Sequence, residues 1–164
     1  MPKNLKAEAL FSATFFVAIT PKAQPRARAR AVGAGKHAYA RVYPVKSGEE
    51  YKATVATLAA QHRPPAPVTG PVSLGLTFWL PRPKSHPAWK SEAGTAHTSK
   101  PDIDNLAKAI MDALKQGGYY RDDSQVVAET LFKTYARGHP PGVEVSFEEW
   151  PTYASKREWQ AASA

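Results

Sequence analysis

Residues 100–125 read Lys-Pro-Asp-Ile-Asp-Asn-Leu-Ala-Lys-Ala-Ile-Met-Asp-Ala-Leu-Lys-Gln-Gly-Gly-Tyr-Tyr-Arg-Asp-Asp-Ser-Gln. Within them Asp102, Asp104, Asp112, Asp122 and Asp123 gather five of the fourteen acids of a chain whose formal net charge is +8. Carboxylates this close repel one another, so a fold that keeps them together needs cations to set between them. The same stretch carries the strongest helical pattern. Ile103, Leu106, Ala107, Ile110, Met111 and Leu114 recur at helical spacing, and Gly117-Gly118 is a terminator. A helix is predicted from Pro101 to Gln116, with Asp122-Asp123 in the turn behind it.

The other elements fall around this helix. Residues 10–19 are aromatic and β-branched, a first strand ended by Pro21. From Pro21 to Gly35 the chain is a basic loop in which Arg26, Arg28 and Arg30 alternate with alanines. In an extended chain the three point one way, a comb for a phosphate backbone; the plain alternative is a mobile basic loop. Residues 38–43 suggest a short strand. Gly48 to Gln61 reads as a helix with Tyr51, Val55, Leu58 and Ala59 on its apolar face and Ser47 as N-cap. Residues 63–71 are a proline-rich linker, and 72–80 alternate as a strand. From 81 to 100 periodicity vanishes into a long surface loop holding Trp89, close to Trp79, with Trp79 expected in the core. Strands follow at 125–135 and 143–147. The order predicts a single two-layer α+β domain over 1–149, a sheet with helices packed on one face, and a polar tail over 150–164.

Charge is segregated along the chain. Residues 1–63 balance to +8, 64–100 to +3 and 101–164 to −3. A basic first half beside an acidic second half suits a phosphate-binding surface next to an acid-lined pocket. No apolar run approaches the roughly 20 residues of a membrane helix, no secretory signal opens the chain, and there is no cysteine. The expectation is a cytoplasmic protein without membrane contact.

Hard divalent cations take oxygen ligands and keep sites open for water and phosphate. Asp102 and Asp104, two apart at a helix start, can turn toward one point, and Lys108 lies one turn beyond Asp104. A 14-residue helix spans roughly 21 Å. Asp122 and Asp123 therefore reach Asp102 only if the chain doubles back and the strand after Ser124 starts beside the helix N-terminus. If so, metal-assisted phosphodiester cleavage follows, with Lys108 binding phosphate, stabilising charge or orienting water. Asp-x-Asp alone also occurs in glycosyltransferases, nucleotidyltransferases and helix caps. Without metal, Asp102 or Asp104 caps the helix, Asp104–Lys108 is a surface pair and Asp122-Asp123 is a turn. The five histidines share no ligand spacing and receive no role.

Pro-Asp-Ile-Asp-Asn-Leu-Ala-Lys-Ala-Ile-Met-Asp-Ala-Leu, the gap with Gly117-Gly118, then Asp-Asp-Ser-Gln-Val-Val and Lys133 closely resemble the RusA-type Holliday-junction resolvases of bacteria and their phages. The likeness covers about 35 residues, and Pro-Lys-Ala-Gln-Pro-Arg at 21–26 adds a looser one. The resemblance implies a RusA-like mixed sheet and a Mg²⁺-dependent, homodimeric endonuclease (Mn²⁺ substituting) that cuts four-way or branched DNA by paired symmetric cuts. It places catalytic and metal-ligating carboxylates on Asp102, Asp104 and Asp123 and the essential lysine on Lys108. Asp122 is held as a further ligand or support, and Asp112 as a partner of Lys108. Lys22, Arg26, Arg28 and Arg30 are the candidate DNA-backbone contacts. The alternative is a non-catalytic branched-DNA-binding module of the same fold.

Overall fold

The structure is a computed structural model that describes residues 9–25, 28–32, 36, 39–43, 48–87, 96–153 and 156–162. In chain order the elements are β1 (Phe11–Val17), β2 (Arg28–Val32), β3 (Tyr39–Tyr43), α1 (Glu49–Ala59), β4 (Val72–Leu80), α2 (Ile103–Gln116), β5 (Val126–Tyr135), β6 (Gly142–Glu149) and α3 (Lys156–Ala162). Four strands form one sheet in the order β1-β6-β4-β5, and β2 and β3 form a separate antiparallel hairpin. β4 runs parallel to β5 and antiparallel to β6. The sheet is mixed, and the domain is α+β. Parallel neighbours require a crossover connection rather than a tight turn, and α2 supplies it.

The alternation of Val-Ser-Leu-Gly-Leu-Thr-Phe-Trp-Leu in β4 becomes a strict alternation of burial. Its inward residues Val72, Leu74, Leu76, Phe78 and Leu80 join Val143, Val145 and Phe147 of β6. Tyr51 and Val55 of α1 and Leu106, Ile110 and Leu114 of α2 close the same core. The opposite face is more open. Phe16, Glu144, Thr77 and Phe132 follow one another across four strands there, and Phe132 is 63% exposed.

Several local expectations change. The N-cap of α1 is Gly48, not Ser47, which lies outside the described residues. Gly48 has φ +152°, and a Cβ there would meet Pro25 Cδ at 3.0 Å, so a side chain is disfavoured twice over. Leu58 is exposed, whereas Lys52 is buried on α1 because its ammonium pairs with Glu49 at 2.7 Å and Asp112 at 3.5 Å. Trp79 is half-buried rather than in the core, because β4 alternation turns it to the face opposite Phe78. It packs edge-on against His139 at 4.6 Å. Within the basic segment, residues 28–32 form a strand, not a loop. Arg28 and Arg30 pair with Tyr43 and Arg41 in the hairpin register, while Arg26 and Trp89 lie outside the described residues. The polar tail holds α3, which its alanine-rich composition allows. Among the described residues no helix is long and apolar enough to cross a membrane.

Candidate active site

Asp102 stands at the N-cap of α2 with extended backbone (φ −70°, ψ 141°), and its carbonyl accepts from the Leu106 N–H at 3.2 Å. Its carboxylate makes no capping bond. A cap role, the simplest non-metal explanation of this acid, is therefore not what the side chain does. Asp102 and Asp104 are both exposed. The loop before them is clasped from the sheet: Lys133 Nζ donates to the carbonyls of Ser99 and Pro101, each at 2.7 Å. The Gln24 N–H donates to the Asn105 carbonyl at 3.0 Å, so the basic segment that starts at the exposed Lys22 passes the first turn of the same helix.

Asp123 arrives by a different route. Gly118 ends α2 with φ +80°, a left-handed conformation that suits glycine. Tyr119 and Tyr120 then turn inward and anchor the reversal. The Tyr119 hydroxyl donates to the Ala59 carbonyl at 2.7 Å and that of Tyr120 to the Met111 carbonyl at 2.9 Å. Burial pushes both hydroxyls well above the ordinary tyrosine range. Gln125 Oε1 accepts from the N–H groups of Arg121 and Asp122, and its Nε2 donates to the carbonyls of Val68 and Gly70. Asp122 Oδ1 accepts from the Ser124 N–H at 2.8 Å and caps the short 3₁₀ turn Asp123–Gln125. Hydrogen bonding from Ser124, its side chain first and its backbone N–H second, holds the Asp122 carboxyl below the usual range.

This turn lays Asp123 against the flank of α2. Its Oδ2 accepts from Lys108 Nζ at 2.6 Å, and Lys115 Nζ is 3.0 Å from Oδ1. Lys108 is shared with Asp112 at 3.0 Å. The hydrogen bond from Lys108, opposed by partial burial and reinforced by Lys115, holds the Asp123 carboxyl below its ordinary value. The hydrogen bond to Asp123, reinforced by Asp112, raises Lys108 in return. Both groups are thus held in their charged forms.

The structure therefore joins Asp123, Lys108 and Asp112, with Asp104 one turn and Asp102 nearly two turns further toward the helix start. The start of β5 is not beside the helix N-terminus. Instead α2 and β5 run in opposite directions, so the far end of β5, at Lys133, meets that N-terminus. Among the described residues no three acidic or histidine side chains converge as a metal-holding group. The donor chemistry nevertheless fits a hard cation: all the candidates are carboxylates, and Asp123 Oδ1 is buried with no aligned hydrogen bond.

The sequence model described as Endodeoxyribonuclease RusA matches residues 18–148. The chain belongs to the RusA endodeoxyribonuclease family. "Uncharacterized protein YqaN" of Bacillus subtilis (strain 168) is 35% identical over 139 residues, 81% of this chain and 96% of that protein. "Crossover junction endodeoxyribonuclease rusA" of Lactococcus phage r1t is 37% identical over 57 residues, 35% of this chain and 40% of the phage protein.

Lys115 of this RusA-family site escaped sequence reasoning, and Gln125 and Lys133 enter it as motif residues without a role. Lys115, which pairs with Asp123, lies seven residues after Lys108 and three after Asp112 on one flank of the helix, a periodicity visible in the sequence. Gln125 and Lys133 act on backbone groups more than thirty residues away. No local pattern announces such bonds.

Proposed function

We propose that this protein is a metal-dependent, structure-selective DNA endonuclease that resolves Holliday junctions by paired, symmetric cuts. Family membership supports the nuclease class. The observation that carries the site is the chain reversal that sets Asp123 on Lys108, one helical turn from Asp104. In this reading Asp102, Asp104 and Asp123 hold Mg²⁺ (or Mn²⁺), with Asp122 as support. Bound Mg²⁺ would lower the pKa of a coordinated water and stabilise the charge that develops on the scissile phosphate. Lys108 keeps Asp123 ionised and offers its ammonium to a phosphate oxygen. Lys133 fixes the carbonyls of Ser99 and Pro101 and so positions Asp102 without touching substrate.

A twofold dimer presents two equivalent sites to a nearly symmetric four-way junction. The exposed Phe16 and Phe132 on the open sheet face support such an association. The test is cleavage of a synthetic four-way junction, a linear duplex and a flap, each with Mg²⁺ or EDTA. Paired cuts on the junction with Mg²⁺ alone are expected. Binding without cleavage would leave a non-catalytic branched-DNA-binding module, and nicks in one strand only would remove the twofold arrangement.

Lys22, Arg26, Arg28 and Arg30 are proposed to track the DNA backbone, supported by the bond that ties Gln24 to the start of α2. Replacing Arg26, Arg28 and Arg30 with alanine is expected to weaken junction binding. The slope of log K against log salt should flatten by up to about 0.9 per lost contact. An unchanged slope would take this segment off the DNA surface.

A further inference from the structure

The two oxygens of Asp123 are held by different lysines that differ in what else they do. Lys108, on Oδ2, has a second carboxylate partner in Asp112 at 3.0 Å, so it stays compensated if Asp123 moves. Lys115, in the last turn of α2, approaches Oδ1 at 3.0 Å without hydrogen-bond alignment. It covers that oxygen, which is buried, although the lysine side chain itself is 38% exposed and can be released to water. An ion pair between side chains this exposed is weak and exchangeable.

We propose that Lys115 is a latch that competes with the divalent cation for Asp123. It sits on Oδ1 from the last turn of α2, while Lys108, one turn past Asp104, holds Oδ2. Coordination of Asp123 to a divalent cation then requires Lys115 to leave Oδ1, and its positive charge opposes the incoming one until it does. Lys115 is a positioning residue in this scheme, because it acts through Asp123 and not on substrate. The inference rests on the metal-dependent reading above.

The test is binding of Mn²⁺ alone, read by electron paramagnetic resonance of the free ion, with thermal unfolding of the metal-free proteins alongside. Lys115→Gln should bind Mn²⁺ about tenfold more tightly, the order of effect expected from removing one nearby charge, while its metal-free melting temperature falls slightly. Lys115→Arg keeps the charge and should bind like the wild type. A merely structural lysine would move both quantities of Lys115→Gln downward. Equal or weaker Mn²⁺ binding by a folded Lys115→Gln, with Asp102→Asn weakening it further, overturns the latch and leaves the metal reading standing. No Mn²⁺ binding by the folded wild type or by Lys115→Gln overturns both.

Discussion

Asp102→Asn, Asp104→Asn and Asp123→Asn are each expected to lower junction cleavage by at least about a hundredfold, roughly 2.7 kcal/mol of transition-state stabilisation. Junction affinity should change by no more than about threefold. The substitution keeps side-chain volume and removes only the charge, so it separates chemistry from packing. Asp102 and Asp104 are exposed, and their variants should melt like the wild type. Asp123→Asn also removes the anion that pairs with Lys108 and Lys115, so a small loss of melting temperature is expected in that variant alone. The measurement is single-turnover cleavage of a four-way junction, with binding followed separately in EDTA. Wild-type cleavage in all three variants, at Mg²⁺ low enough to expose a weakened site, would rule these carboxylates out.

Phe147→Ala is expected to cost about 3–5 kcal/mol of folding stability. Its ring is fully buried and meets Tyr119 at 5.2 Å, Tyr120 at 6.3 Å and Phe11 at 6.0 Å. The two tyrosines deliver Asp123 to α2, so the cavity would open beneath the site's own support. Urea denaturation reads the effect. Phe132→Ala is the control: that ring is 63% exposed, and its loss should leave the monomer's stability within about 0.5 kcal/mol. Comparable losses in both variants would contradict the burial on which the fold rests.

Periodicity carried most of the fold because the physics behind it is local. β4 alternates because its inner face is sealed by helices and its outer face is not. α2 runs from Ile103 to Gln116 because its apolar stripe and Gly117-Gly118 leave few other choices. The expectations that changed depend on neighbours distant in sequence. Trp79 looked like core by size, yet strand parity turned it outward. Lys52, on the same helix as the misplaced Leu58, is buried because Glu49 and, sixty residues on, Asp112 pair with it. The four histidines among the described residues, given no role, pack against aromatic rings.

The site divides along the same line. The sequence alone determined the chemical inventory: carboxylates at 102, 104, 122 and 123 in a basic chain, and a helix that carries Asp104 with a lysine one turn past it. Spacing within a helix is set by 3.6 residues per turn, so these relations needed no tertiary information. Only the tertiary structure decided where Asp123 goes. The parallel pairing of β4 with β5 makes α2 a crossover that runs against β5. That direction brings Lys133 to the helix start and lays Asp123 on Lys108 and Lys115. Strand order and direction are set by the whole core, because each depends on which faces of every element must be buried together.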